Sequence, residues 1–426
     1  QLYDDVPNNL CCDWDLGDQG AVDAAFEAAT HVTSIELVNQ RLVGNPMEPR
    51  AAIGEYDPAR GNYTLWTTSQ FPHVVRLLMG EMVLGIPQHK LRVVAPDVGG
   101  GFGTKIFHYA EEAFCTFAAK QIKRPVKWTS SRSEAFMSDA HGRDHVTKIE
   151  LALDADNNLV ALRTETHANM GAYFSTFAPC VPTYLYGTLL QGLYTTPAIY
   201  VDVTAAFTNT TPVDAYRGAG RPEATYLLER LMDTAAREIG MDPAEFRLKN
   251  FIPPFDGVEQ PGYETQVALV YDSGNYPEAL SKALEAVDYA ELRSEQKALK
   301  EQGVHRGIGI ASYIHVSGFG PSAILGMVDY YTGGYEGSTV KIDPQGKATL
   351  YTGMIPMGQG TETTLAQIAA DQLGIDMDEV RVVWGDTDQT PYTGFGSAGS
   401  RSNVAAAAVI KAIEEIKAKA VRLGAQ

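Results

Sequence analysis

Residues 98 to 105 read Val98-Gly99-Gly100-Gly101-Phe102-Gly103-Thr104-Lys105. The stretch follows a β-rich run, Leu91 to Ala95, and precedes an alanine-rich segment expected to be helical at about 108 to 120. It therefore fixes a strand–loop–helix unit. Its loop backbone can approach a ligand closely and offer N–H groups to an anion or an oxo group. It is not a Walker A loop, because Thr104 separates Gly103 from Lys105 where Gly-Lys-Ser/Thr is required. Taken alone, it is also compatible with a plain tight turn between a strand and a helix.

The chain has 426 residues, which suits two or three domains. A hydrophobic fraction of 45% supports substantial cores. The net charge of −18 disfavours nucleic acid and anionic membrane surfaces as partners. Cys11, Cys12, Cys115 and Cys180 form no C-x-x-C pair, so a reducing, cytoplasmic setting is expected rather than a disulfide framework. An iron–sulfur cluster takes four closely spaced thiolates, which these cysteines cannot supply. No run of 18 apolar residues predicts a membrane span. The opening Gln1-Leu-Tyr-Asp-Asp is not a secretory leader.

Helices and strands mix along the whole chain, which predicts an α+β fold. A short helix at 20 to 29 precedes strands at His31 to Val38, Ala51 to Tyr56 and Tyr63 to Thr68. A helix opening at Phe71-Pro72-His73 is expected to bury Val74, Val75, Leu78 and Met82. Residues 145 to 168 read as a hairpin. Pro222 to Ile239 is the clearest helix, with Ala224, Leu227, Leu228, Leu231, Ala235 and Ile239 in one stripe and Gly240 as its stop. The Pro- and Gly-rich stretch 252 to 262 predicts a boundary between domains at 1–254 and 255–426. Beyond it, a helix is expected at 276 to 302, strands near 306 to 315, 337 to 343, 347 to 353 and 379 to 384, and helices at Thr361 to Leu373 and 402 to 422.

Three more stretches narrow the chemistry: Ala215-Tyr-Arg-Gly-Ala-Gly-Arg-Pro-Glu223, Pro356-Met-Gly-Gln-Gly-Thr-Glu362 and Gly394-Phe-Gly-Ser-Ala-Gly-Ser-Arg-Ser402. With the first loop, in this order and spacing, they resemble the molybdenum-binding large subunits of the xanthine oxidase family, nearest to the aerobic carbon monoxide dehydrogenase-like subgroup. The resemblance implies two elongated molybdopterin-binding domains, the second incomplete here, in a chain that is an internal piece of a longer subunit. It implies molybdenum with molybdopterin cytosine dinucleotide, the metal being held through the pterin and not by protein side chains. It also implies an iron–sulfur small subunit with [2Fe-2S] clusters and an FAD-binding medium subunit, in a dimer of heterotrimers.

By the same resemblance, Gln70 and Arg217 are catalytic. An amide donates a hydrogen bond to an oxo ligand without adding charge, and a fixed cation stabilises developing negative charge. Gly100, Gly101, Phe102, Gly103, Gly218 and Ala219 would line the metal end of the cofactor. Gly358, Gln359, Gly360, Thr361, Ser397, Gly399, Ser400 and Arg401 would contact the pterin and its phosphates. Carbon monoxide-oxidising members carry a copper-binding Cys directly after the Arg, where this chain has Gly218. The family's general base, a Glu in a Gly-x-Gly-Glu stretch, is expected beyond Gln426.

The implied activity is oxidation of a small aldehyde or N-heteroaromatic substrate with oxygen from water. Carbon monoxide oxidation is an alternative. A nicotinamide-dependent dehydrogenase rests only on the G-x-G-x-x-G match at Gly394 to Gly399, which does not open directly off a strand. A scaffold that has kept the fold without the base is the non-enzymatic reading. His141 and His145 are expected to be loop histidines, and Cys11-Cys12 partly buried packing.

Overall fold

The computed structural model describes residues 1–259, 261–318, 334–394 and 402–425. Along the chain these form β1 (Leu10–Gly17), α1 (Gln19–Ala28), β2 (His31–Asn39), β3 (Ala51–Asp57), β4 (Asn62–Thr67), α2 (Pro72–Leu77), β5 (Leu91–Val94), α3 (Ala110–Ile122), β6 (Val126–Thr129), β7 (His145–Leu153), β8 (Leu159–Gly171), β9 (Ile199–Phe207), α4 (Arg221–Glu238) and α5 (Pro243–Asn250). They continue with α6 (Tyr276–Ala286), α7 (Tyr289–Glu301), β10 (Ser338–Ile342), β11 (Ala348–Thr352), α8 (Thr361–Leu373), β12 (Val380–Val383) and α9 (Ser402–Gly424). The fold is α+β, as the mixing of elements predicts.

Three sheets organise it. One has the order β1-β9-β8-β7-β2, all antiparallel except the β8–β9 pair. A second has the order β5-β4-β3-β6, with β4 and β5 parallel. The third is β10-β11-β12. Apolar alternation buries one face of the first sheet against α4, whose Ala224, Leu227, Leu228, Leu231 and Ala235 stripe is buried as its spacing dictates. The second sheet closes over α3 around Leu65, Val93 and Cys115. The third packs Leu350 and Val382 against Leu365 of α8 and Val409 of α9.

Four local expectations are corrected. The helix expected at 276 to 302 is two, because Asp288 takes a left-handed φ of +48° between α6 and α7. Residues 306 to 315 form no strand. Arg247 Nη2 donates to the Ile310 carbonyl (3.0 Å) and the Ser312 N–H to Glu229 Oε2 (2.7 Å), so α4 and α5 satisfy this extended segment in place of a neighbouring strand. Helix α2 runs into a π-helical turn at Leu78–Leu84, which shifts the buried face, so Met79 is buried and Met82 exposed. His145 opens β7 and is buried edge-on to the Tyr186 ring, and His141 lies in the short strand His141–Gly142, so neither is a loop residue. Strand β1 was not foreseen. Its Cys11 and Cys12 are partly buried against the main core.

Apolar side chains up to Val316, including Leu280, Ile310 and Ile314, pack on the core of the first sheet. No helix of the described residues is long and apolar enough to cross a membrane.

Candidate functional site

The strand β5 delivers the glycine loop, and β4 delivers Gln70. Gln70 is 2% exposed, and its backbone N–H donates to the Lys105 carbonyl at 2.8 Å. Its Oε1 accepts the Gly103 N–H at 2.9 Å. A backbone N–H can pair only with the oxygen of the amide, so this contact fixes the orientation of the group and turns its NH₂ away from Gly103. Gly101 passes so close that a Cβ there would stand 2.4 Å from Gln70 Oε1 and 2.5 Å from Met357 Sδ. Only glycine fits such an approach. It also joins the loop to the segment 354 to 360, where buried Ile355 packs on Ala95 and Val98.

Arg217 reaches the same loop from the other side. Its N–H donates to the Phe102 carbonyl at 2.9 Å, and its guanidinium carbon lies 5.7 Å from the Phe102 ring centre. Phe102 has φ +54° and is 40% exposed. A Cβ on Gly103 would meet the Ala215 carbonyl at 2.4 Å, so the two loops lie backbone on backbone. Arg217 is an exposed residue. Gly218 has φ +105°, and a Cβ on it would stand 2.4 Å from Pro222 Cγ. The Ala219 N–H closes the turn onto the Tyr216 carbonyl at 2.7 Å.

The Met357–Thr361 turn opens α8. Gln359 staples its own loop, accepting the Met357 N–H and donating to the Ile355 carbonyl. Among the described residues nothing lies within 4 Å of a Cβ on Gly358 or Gly360. Thr361 is 2% exposed, yet among the described residues its Oγ1 has no hydrogen-bond partner and no side chain caps the helix. Uncapped first-turn N–H groups, a buried orphan hydroxyl and an open backbone form a cradle for an anionic group. Ser397, Gly399, Ser400 and Arg401 lie outside the described residues.

Gln70, Gly101, Phe102, Gly103, Arg217 and Met357 are thus linked by direct contacts, although 287 positions separate the ends of the set. The residues behind them were not foreseen. Glu48 accepts the Gly99 N–H and the Lys105 ammonium, each at 2.7 Å. Burial pushes the Lys105 ammonium down, and Glu48 opposes that shift. Tyr109 donates to the Thr104 carbonyl at 2.7 Å, and burial pushes its phenol well up, keeping it a donor. Arg50 lies 3.6 Å from the Tyr109 ring centre and pairs with Asp139 at 2.6 Å. Buried Asp214, pushed up to about 7 by desolvation, anchors the Arg217 segment through the N–H groups of Ala215 and Phe177. No group of three or more metal-ligating side chains occurs among the described residues.

Family models of a molybdopterin cofactor-binding domain match residues 2–251 and 282–426. The carbon monoxide dehydrogenase large chain of Hydrogenophaga pseudoflava is 39% identical over 97% of this chain and 51% of its own length. The 6-hydroxypseudooxynicotine dehydrogenase complex subunit gamma of Paenarthrobacter nicotinovorans is 37% identical over 96% of this chain and 49% of its own. A crystal structure of the Cu,Mo-CO dehydrogenase superposes with a TM-score of 0.89 at 36% identity, covering 97% of this chain and 52% of that one. Quinoline 2-oxidoreductase from Pseudomonas putida 86 superposes with a TM-score of 0.88 at 29% identity, covering 96% and 51%. The chain spans about half the length of these relatives.

Proposed function

The chain belongs to the molybdopterin-binding large subunits of the xanthine oxidase family, and on that basis we propose that it is the molybdenum subunit of a hydroxylase. The substrate is a small aldehyde or N-heteroaromatic compound, oxidised with oxygen from water. The electrons leave to [2Fe-2S] and FAD partner subunits in a cytoplasmic dimer of heterotrimers. The observation that carries the reading is the contact set joining Gln70, Gly101, Phe102, Arg217 and Met357, which closes four separate chain segments around one place.

A molybdenum–molybdopterin cytosine dinucleotide supplies, when bound, two-electron redox chemistry that protein side chains lack. The protein's share is to bind, orient and stabilise charge. Gly358, Gly360, Thr361 and the first turn of α8 hold the anionic pterin, with Gln359 keeping the turn in shape. Ser397, Gly399, Ser400 and Arg401 would add phosphate contacts. Gly100 to Gly103 keep the loop backbone close to the metal end, and Gln70 offers neutral N–H donors there. Arg217 stabilises negative charge that develops beside the metal centre.

Carbon monoxide oxidation is the second reading, favoured by the name of a relative. One local feature opposes it. The position after Arg217 is a left-handed glycine whose Cβ direction is blocked by Pro222. A thiolate has no place there, and Cu(I) prefers sulfur ligands. The test is turnover of aldehydes, N-heteroaromatics and carbon monoxide by the native complex, with a copper assay. Hydroxylation of an organic substrate without copper supports the proposal. About one copper per molybdenum together with fast carbon monoxide oxidation overturns it.

A further inference from the structure

We propose that Arg143, anchored by Glu223, is a positioning residue for Arg217. Arg143 and Asp144 have φ of +68° and +74°, a left-handed conformation that strains a non-glycine residue. Two such residues in succession persist only where their surroundings over-determine them. Those surroundings are present. Asp144 accepts from Arg41 Nε at 2.7 Å and from Asn169 Nδ2 at 2.8 Å, and its N–H donates to the Asn39 carbonyl at 2.9 Å.

The strained turn aims the buried Arg143 side chain at the 216–218 segment. Nη1 donates to the Tyr216 carbonyl at 2.8 Å and Nη2 to the Arg217 carbonyl at 2.7 Å. The guanidinium carbon also lies 5.0 Å from the Tyr216 ring centre. Glu223, in the first turn of α4 and fully buried, places Oε1 3.3 Å from Nη1. On the other flank of Arg217, the Phe102 carbonyl holds the Arg217 N–H at 2.9 Å. Both peptide groups around the Arg217 Cα are therefore pinned, the first by the glycine loop and Arg143 together and the second by Arg143. Only the side-chain torsions of Arg217 remain to be set. A planar fork can serve two carbonyls and a carboxylate together, whereas an ammonium cannot reach all three in one geometry.

The inference rests on the role proposed above for Arg217, and the test separates the two. Arg143→Lys keeps a cation beside Glu223, and Glu223→Gln keeps shape and an acceptor should the first variant not fold. In the full chain within its native complex, either variant is expected to speed amide exchange at Arg217 and Ala219 about tenfold or more, with the sheets unaffected. In turnover, Arg143→Lys is expected to lower kcat about tenfold alone and to add nothing in an Arg217→Ala background. Unchanged exchange at Arg217 and Ala219, or losses that multiply in the double variant, overturns the positioning role. If Arg217→Ala alone leaves turnover intact, the role of Arg217 fails, and the exchange measurement still decides whether Arg143 pins the segment.

Discussion

Gln70 shows what a residue-level reading can and cannot reach. Its place at the end of a strand, before Phe71-Pro72, carries no signal of its own, and only the family resemblance singles it out in the sequence. The contact that orients its amide, from the Gly103 N–H, depends on a fold that brings together two residues 33 positions apart. The same applies to Arg217, which the resemblance of its glycine-flanked motif singles out; Glu223 closes that motif without a role of its own being read there, and Glu48 and Arg143 are single charged residues with no periodic or motif signal. Gln70→Ala and Arg217→Ala are each expected to retain molybdenum and to lose roughly 10² to 10³ in kcat, the usual effect of removing one preorganised electrostatic group. Metal analysis beside steady-state kinetics checks this, and an unchanged kcat in both variants contradicts it. Gly101→Ala is a sharper steric test. The new methyl meets the buried Gln70 amide, which cannot withdraw without giving up the Gly103 N–H. A destabilisation of about 1–3 kcal/mol is expected from such overpacking, with less cofactor per chain. Wild-type melting and cofactor content in this variant would contradict it.

Among the elements, those with local signals were read well. Helix α8 begins and ends where the turn glycines and the Leu365 and Ala369 spacing place it. Strand β1 lacks such a signal, because it is defined by pairing with β9 some 190 positions later. The break at Asp288 has no Pro or Gly to mark it, and the π-helical turn after α2, which holds Gly80, has no apolar period that distinguishes it from an α-helix. Helix α2 also carries a pH-sensitive group. His73 is buried, with Nε2 3.1 Å from Thr390 Oγ1, and burial pushes its pKa down to about 3. The unfolded chain takes up this proton below about pH 6.5, and the folded chain only near pH 3. Stability from neutral His73 is therefore complete above about pH 6.5 and is lost progressively as the pH falls towards 3. The melting temperature is expected to drop between pH 6.5 and 4.5 by at least ~2 °C more in the wild type than in His73→Gln. Parallel melting curves would place the acid sensitivity elsewhere.

At the scale of the whole molecule, the α+β class, the second half's sheet and the helices α8 and α9 were legible from pattern. The seating of residues 306 to 316 on α4 and α5 was not, since an extended apolar run reads alike whether its partner is a strand or a helix. This bears on where a stable first unit ends. A chain cut after residue 318 keeps Leu280, Ile310 and Ile314 on the first core, and a chain cut after 254 uncovers that surface. The longer piece is expected to melt higher and aggregate less; equal behaviour would place an independent boundary at the Pro- and Gly-rich stretch 252 to 262. Gly101 and Met357 bring the two halves together, and the proposed function predicts from this that the glycine motifs serve a single bound group. The most direct measurement is the molybdenum and pterin content of the native complex, by elemental analysis and mass spectrometry. About one molybdenum and one molybdopterin cytosine dinucleotide per chain is the predicted result, and an active preparation free of molybdenum would contradict the account.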